Sequence, residues 1–398
     1  MTRHPFRSIA VIGGGIGGLA TAGFLRDSGL DVQVFEQAPE LTEVGAGLIV
    51  TPNCARLVRA LGQFPLLRER GVTMARGWQF RRWEDGTILF SQELDTHCQQ
   101  MFGEDMFSAH RADLLEACKQ SVPPQWVHLN HQLVEATEHD HGVSLRFANG
   151  YSTTVDAVIG ADGVRSVIRR DIFGSVDPVY AGIQAFRAII PMERVPEFAA
   201  LPEHNLWIGP DHHLVHYPIQ TGKTVNLVAF APAGDYDVSS WTATGKTEEL
   251  LSEFAGWDQR LLDLIAAIDT PGRWALVDLD PVDTWVSPGE RVALLGDAAH
   301  PMYPFYAQGA AQAMEDAAVI SRVLVDGHDR PFARYEATRK DRATTLQTIS
   351  RDRKHANHLP DGPDQRQRDR DLAEQNPLET SRWIYEYDAL TVEIAQPA

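Results

Sequence analysis

Cysteine is scarce in this chain. There are three in 398 residues, Cys54, Cys98 and Cys118, an odd number with no metal-ligand spacing. That excludes a disulfide scaffold and a zinc ribbon, and the expectation is a reduced, cytoplasmic protein with no metal site. Long apolar runs are also missing. Nothing approaches the roughly 20 residues of a membrane span. The first apolar run, Ile9 to Ile12, breaks at once into glycines, so neither an anchor nor a signal peptide is read there. Positive charge is in deficit: 36 Lys and Arg against 54 Asp and Glu give −18, spread along the chain rather than gathered in a tail. Such a balance excludes nucleic acid and anionic membrane surfaces as partners, and it says nothing direct about a small substrate. Internal repeats are absent too. The length allows two domains with proper cores.

What is present begins at Ser8. Ile9 to Ile12 reads as a buried parallel strand and runs into Gly13-x-Gly15-x-x-Gly18. Leu19, Ala20, Ala22 and Leu25 then have helical spacing, and Val32 to Phe35 reads as a second strand ending on Glu36. Gly13 permits a tight turn, Gly15 lets a pyrophosphate approach the backbone, and Gly18 lets helix and sheet pack closely. The helix start offers unpaired N–H groups to phosphates. Glu36 is placed to accept hydrogen bonds from a ribose diol. The reading is dinucleotide binding.

Two further signatures follow. Ala157 to Gly160, then Asp162-Gly163 with Ser166 and Arg169, is again strand, turn and helix with an acid at the turn. Arg291 to Leu295 is a buried strand ending in Gly296-Asp297, with Pro304 beyond it and a long helix from about Gln308 through Leu324. Between them the chain changes character. Val127–Leu129, Gln132–Val134, Val143–Phe147 and Ser152–Val155 read as a strand meander, and about 180–285 reads as a separate, mostly antiparallel layer. In that layer His213 and Tyr217 share one face of a strand and His216 faces the other way. Residues 54–62 read as a short helix ending at Gly62, and Trp78–Trp83 as a strand entering a turn at Glu84-Asp85-Gly86. Residues 351–376 are very polar and read as a solvated loop, an exposed helix or a disordered segment. Trp383, Ile384, Tyr385 and Tyr387 then bring apolar surface back, so the C-terminus is expected to dock on the body.

Taken together, Gly13-x-Gly15-x-x-Gly18 with Glu36, Asp162-Gly163 with Ser166 and Arg169, and Gly296-Asp297 with Pro304 resemble the flavin-dependent aromatic hydroxylases of the 4-hydroxybenzoate hydroxylase fold. The resemblance covers about residues 8–350. Within that family the chain is most similar to the single-component salicylate hydroxylase and 6-hydroxynicotinate 3-monooxygenase group, on the Gly45-Ala46-Gly47 loop with Pro52-Asn53 and on the Trp383–Asp388 tail. The resemblance implies an α/β fold: a Rossmann-like FAD-binding domain, an inserted mostly antiparallel β-sheet substrate domain and C-terminal helices. The expected boundaries are 1–75, 101–180 and 286–350 for a discontinuous FAD domain, 76–100 and 181–285 for the substrate sheet, and 351–398 for a helical, polar tail.

The implied activity is an FAD-dependent monooxygenase that consumes NADH or NADPH and O2. It would hydroxylate a small aromatic or N-heteroaromatic acid or phenol through a flavin C4a-hydroperoxide, with or without loss of a carboxylate. FAD would be non-covalent, since no Cys or His lies in an evident flavin-attachment motif; no second Gly-x-Gly-x-x-Gly unit exists, and the resemblance implies a pyridine nucleotide that binds transiently. The chain would act as a monomer or homodimer. Expected cofactor residues are Gly13, Gly15, Gly18, Glu36, Gly47, Arg111, Asp162, Asp297, Pro304, Gly309 and Ala310. Arg111 has a surface salt bridge as its alternative, and His300 reads equally as a loop-stabilising residue or a ligand. Phe305 and Tyr306 are expected at the substrate. Deprotonating a ring hydroxyl calls for a base, and His213 or Tyr217 is the candidate. The rival readings are an epoxidase, Baeyer–Villiger-type or N-hydroxylating enzyme on a larger natural product, marked by an apolar cavity without a base, and a non-catalytic flavoprotein, marked by absence of substrate-stimulated NAD(P)H oxidation.

Overall fold

The computed structural model describes residues 5–42, 46–94, 96–175, 177–233 and 243–397. Val44 and Gly45 of the glycine loop lie outside the described residues. Five parallel strands form one sheet in the order Val292–Leu294, Ala157–Gly160, Ser8–Ile12, Asp31–Phe35 and Val127–His128. Ile9, Ala10, Val11, Val158 and Ile159 have no solvent exposure, which is why these strands read as unbroken apolar runs rather than alternating ones. Helices Ile16–Leu25 and Gly309–Val325 cross over the sheet. Their approach depends on Gly17, where a Cβ would sit 2.6 Å from the Leu295 side chain and 3.1 Å from that of Ala313. Because the strands are parallel, all their C-terminal ends share one edge. Gly13, Glu36, Asp162 and Asp297 therefore come from distant parts of the chain to a single crevice, where the strand order reverses beside Ser8–Ile12.

The expected four-strand meander is corrected at its first member. Val127–His128 joins the edge of the parallel sheet beside Val34 and Phe35, while Leu133–His139, Gly142–Phe147 and Ser152–Val155 form a separate antiparallel sheet. His128 stacks on Phe35 there, with ring centroids 5.1 Å apart, and that contact favours the parallel edge. The short helix lies at Pro52–Ala60, starting earlier than read because Pro52 suits a first helical turn.

The second layer is a seven-stranded sheet in the order Gly272–Asp278, Val179–Pro191, Thr224–Pro232, His212–Ile219, Glu203–Gly209, Gly77–Arg82 and Ile88–Gln92. All its pairs are antiparallel except Glu203–Gly209 with Gly77–Arg82. One face packs on helices Thr247–Glu253 and Gln259–Ala266 through Trp207, Leu214, Leu227, Phe254 and Leu261. His216 goes to this face and accepts the Trp207 indole N–H at 3.2 Å. His213, Val215 and Tyr217 go to the opposite face.

The polar 351–376 stretch is largely helical. It completes the 27-residue helix Pro331–Asn357 and supplies the helix Pro363–Glu374. Ile384 and Tyr385 are buried, and Arg342 donates to the carbonyls of Trp383 and Ile384, which ties the C-terminus down. Among the described residues no helix is long and apolar enough to cross a membrane.

Candidate active site

The crevice contains two uncapped helix starts and one capped one. Helix Ile16–Leu25 begins at Gly15 with no side-chain cap and no acid in its first turn, so its leading N–H groups have no side-chain partner. A Cβ on Gly15 would meet no atom within 4 Å, leaving open space directly before those groups. Gly13 has φ of +108°, which an L side chain rarely adopts, and its turn abuts Ala161 and Asp162. At Gly18 a Cβ would lie 2.0 Å from the Gly13 carbonyl oxygen. Glu36 receives the N–H of Gly14 at 2.6 Å and that of Ala38 at 2.8 Å, one on each oxygen. Each oxygen keeps a second acceptor site. Asp162 accepts from the Ser166 hydroxyl at 2.5 Å and the Ile168 N–H at 3.1 Å, and Ser166 caps helix Val167–Phe173. Burial raises its pKa.

Helix Gly309–Val325 is the second open start. Its first residue before the helix, Gln308, gives no cap, because that side chain is committed to Thr51 and Asn53. The turn Pro304–Tyr306 closes on Ala307 in the left-handed region, φ 53°, which swings the chain into the helix. A buried ionic network braces this start. Glu315 pairs with Arg339 at 2.7 Å and Arg342 at 2.8 Å and accepts from Asn53, while Asp316 takes Arg339 and the ring of His300. Burial alone would raise the Asp316 carboxyl, but His300 and Arg339 outweigh it and hold it at about 2. His300 thus stabilises its loop.

Between this helix start and the free face of the seven-stranded sheet lies a cavity of about 300 Å³. The sheet register builds its floor in rows. One row runs Arg187, Val228, Val215, Leu206, Phe80; flanking rows hold Asn226, Tyr217, His204, Trp78 on one side and Phe230, His213 on the other. Gly47, Arg111, Asp297, Pro304, Phe305, Tyr306, Gly309 and Ala310 also line it, so these predicted residues converge with His213 and Tyr217. Gly13, Gly15, Gly18, Glu36 and Asp162 stand outside this cavity, at the neighbouring strand ends. Gly47 is held by its N–H to the Asn226 side-chain oxygen, 2.7 Å, and a Cβ there would collide with Asn226 and Tyr217.

His213 is buried, stacks on Phe230 at 4.3 Å and meets Phe305 edge-on. Its Nδ1 shares a hydrogen with Nε2 of His358 at 2.6 Å. Burial first, then His358 and Arg353, pull its pKa well below the ordinary histidine value, so the ring is neutral. Burial raises the Tyr217 hydroxyl pKa, so that group is protonated. Asp297 is exposed and carries no hydrogen bond within the described residues. Several lining residues had no signal in the sequence: Arg187, His204, Arg353 and Asn357; Tyr385, read there only as part of the docking tail, lines the cavity too. Burial holds His204 at about 4, and it stacks on Tyr217.

The open space at Gly15, the two uncapped helix starts and the unpartnered Asp297 carboxylate at a strand end fit a dinucleotide with an extended polyol chain. Comparison with known proteins agrees. Residues 7–350 match the family described as FAD binding domain. The chain is 38% identical over 387 residues to 3-amino-4-hydroxybenzoate 2-monooxygenase PtnB3 of Streptomyces platensis, covering 96% of this chain and 97% of that one. It is 36% identical over 360 residues to 6-hydroxynicotinate 3-monooxygenase of Pseudomonas fluorescens, covering 88% and 92%. Among solved structures, Klebsiella pneumoniae HpxO complexed with FAD and uric acid superposes with a TM-score of 0.84 at 27% identity, covering 98% of each chain. A salicylate hydroxylase substrate complex gives 0.81 at 28%, covering 97% and 96%.

Proposed function

This chain belongs to the FAD binding domain family and is an FAD-dependent aromatic monooxygenase, and from that premise we propose that its substrate is a small hydroxylated aromatic acid deprotonated at His213. One observation carries the reading. A neutral imidazole and several guanidinium groups line the same small cavity as the helix start and strand end that suit the flavin. When bound and reduced by NADH or NADPH, FAD supplies an electrophilic oxygen drawn from O2. The remaining work falls to the protein.

Gly15 and the first turn of Ile16–Leu25 would hold the pyrophosphate, Glu36 the ribose, and Asp297 the ribityl hydroxyls. The start of Gly309–Val325 would present its positive end to the flavin ring. An aromatic ring reacts with an electrophilic oxygen when it is electron-rich, so its hydroxyl must lose a proton. Nε2 of His213 has no hydrogen bond within the described residues and is the acceptor in this reading. Nδ1 is engaged with His358, which fixes the ring orientation. Tyr217, protonated at neutral pH, donates rather than accepts. The floor of Val215, Val228, Leu206 and Phe80 excludes water around the reacting carbon. The cavity volume and the presence of a base favour a single-ring substrate over a larger natural product.

The test is a panel containing 3-amino-4-hydroxybenzoate, 3-hydroxybenzoate, salicylate and 6-hydroxynicotinate, scored by stimulated NADH and NADPH oxidation with product mass. At least one acid is expected to gain one oxygen atom. Stimulation only by bulky, non-acidic compounds would refute the assignment.

A further inference from the structure

We propose that Arg353 is the receptor for the substrate carboxylate and thereby selects an aromatic acid over its uncharged analogues. The proposal rests on the aromatic-acid reading above and adds the group that enforces it.

Arg353 lies near the end of helix Pro331–Asn357 and lines the cavity. Its neighbours on that helix are committed within the protein: Arg339 to Glu315 and Asp316, Arg342 to Glu315, Arg351 to Asp278, and Lys354 to the carbonyl of Ala181. Arg353 has no ion pair and no hydrogen bond among the described residues. Its contacts are rings, with the guanidinium carbon 5.2 Å from the centre of Phe80 and 5.7 Å from that of Tyr306. Such faces orient the guanidinium plane while leaving its N–H groups free. Burial lowers its affinity for a proton, as expected for a cation removed from water without a counter-charge.

A half-buried cation without a counter-charge is costly, and the cost is relieved when an anion arrives. Among the described residues the protein supplies no such anion: Asp297 is the one carboxylate of these that lines the cavity, and it makes no hydrogen bond to Arg353. A carboxylate matches the guanidinium fork with two parallel N–H···O bonds. The aromatic body of such an acid would lie on Leu206, Val215 and Val228, adjacent to Phe80 in the same row of the floor. Arg187 is the competing cation. It stands at the opposite end of that row, four strands from Phe80, and its guanidinium lies 4.0 Å over Trp274.

The experiment uses the holoenzyme. The flavin spectrum is titrated with 3-amino-4-hydroxybenzoate, 3-hydroxybenzoate and 6-hydroxynicotinate and with the carboxamide of each, for wild type, Arg353→Met, Arg353→Lys and Arg187→Met. Flavin content and melting temperature are measured for every variant. Wild type is expected to bind the preferred acid at least about 10-fold more tightly than its amide. Arg353→Met should weaken the acid by about 10- to 100-fold and leave the amide within about 3-fold, the loss anticipated for a charge-assisted pair. Arg353→Lys should recover part of the discrimination, which a merely structural arginine would not give. A wild-type acid-to-amide ratio in Arg353→Met, with acid turnover intact, overturns the proposal and leaves the monooxygenase reading standing. Collapse of the ratio in Arg187→Met alone moves the carboxylate to Arg187 and also overturns it. If no acid perturbs the flavin or stimulates NADH oxidation in wild type, the aromatic-acid reading fails and the proposal fails with it.

Discussion

Two glycines of one motif are expected to fail in different ways, and the difference follows from what surrounds them. At Gly15 the backbone has φ −75° and ψ −176°, which any residue adopts, and an added Cβ meets nothing within 4 Å. Gly15→Val should therefore fold normally, with the flavin-free protein melting within about 2 °C of wild type. The new side chain fills the space before the helix start, where a pyrophosphate would approach. Losing two hydrogen bonds to a charged group, each about 1.5–3 kcal/mol, amounts to roughly 3–6 kcal/mol, or about a 100- to 10,000-fold loss of FAD affinity. At Gly18 the added Cβ would sit 2.0 Å from the Gly13 carbonyl oxygen and 3.3 Å from Val11. Backbone must move, at a cost of about 1–3 kcal/mol, so Gly18→Ala should lower the melting temperature of the flavin-free protein by several degrees. FAD titration by fluorescence quenching, paired with melting curves at several FAD concentrations, separates the two effects. The reasoning is refuted if Gly15→Val retains wild-type FAD affinity, or if it loses affinity only in step with a fall in the stability of the flavin-free protein.

Asp297→Ala should weaken FAD binding by about 10- to 100-fold without shifting the flavin-free melting temperature; normal affinity with earlier melting would make Asp297 a structural residue. His213→Ala should slow hydroxylation by about 100- to 10,000-fold while NADH oxidation continues, so product per NADH falls. The defect should be larger than in Tyr217→Phe and should shrink as pH rises and the free hydroxyl ionises; wild-type coupling in both variants would remove them from the mechanism. Because the His213 pKa lies well below the ordinary value, loss of activity through its protonation belongs on the acid side of about pH 6.5. Asp316 is held at about 2 in the fold, below the roughly 3.9 of an unfolded chain. Its contribution is thus complete above about pH 4 and is lost as pH falls toward 2. Asp316→Asn should melt lower than wild type at pH 7, with a gap that narrows over that acid window, and equal melting at neutral pH would count against the network.

The strand-end crevice was legible in the sequence, and the lining of the cavity beside it only partly. Gly13, Gly15 and Gly18 are read because a strand, a turn and a helix within about thirty residues impose local backbone demands that only certain residues satisfy. Asp297 and the helix from Gly309 follow the same logic. His213 and Tyr217 came from strand alternation, a period that sorts faces without reference to the partner layer. Asp162 shows how little an acid at a strand end says by itself: it has the same local signature whether it meets a ligand or closes a turn onto Ser166 and Ile168. Arg353 and His358 carry no such signature. They sit in a run of charged and polar residues whose composition describes a solvated surface, and that is what most of the run is. In a helix with one side on the protein, a single arginine per turn or two reaches inward, and this leaves no periodic trace when both sides are polar.

Net charge misleads at the cavity for a related reason. The total of −18 is a sum over the whole chain. A ligand cavity samples a few side chains from distant positions. Here the fold gathers Arg111, Arg187 and Arg353 around one space, with Asp297 the sole lining carboxylate among the described residues. The sign of the local charge is then opposite to that of the protein, and it is created by topology: the helix start after Phe107–His110, the strand paired with Gly47–Val50, meets a strand of the second sheet and the helix Pro331–Asn357 at one point. An acidic protein can therefore favour an acidic substrate, provided a cation lining its cavity is left without a carboxylate of its own. Arg353 meets that condition by packing on rings instead of carboxylates.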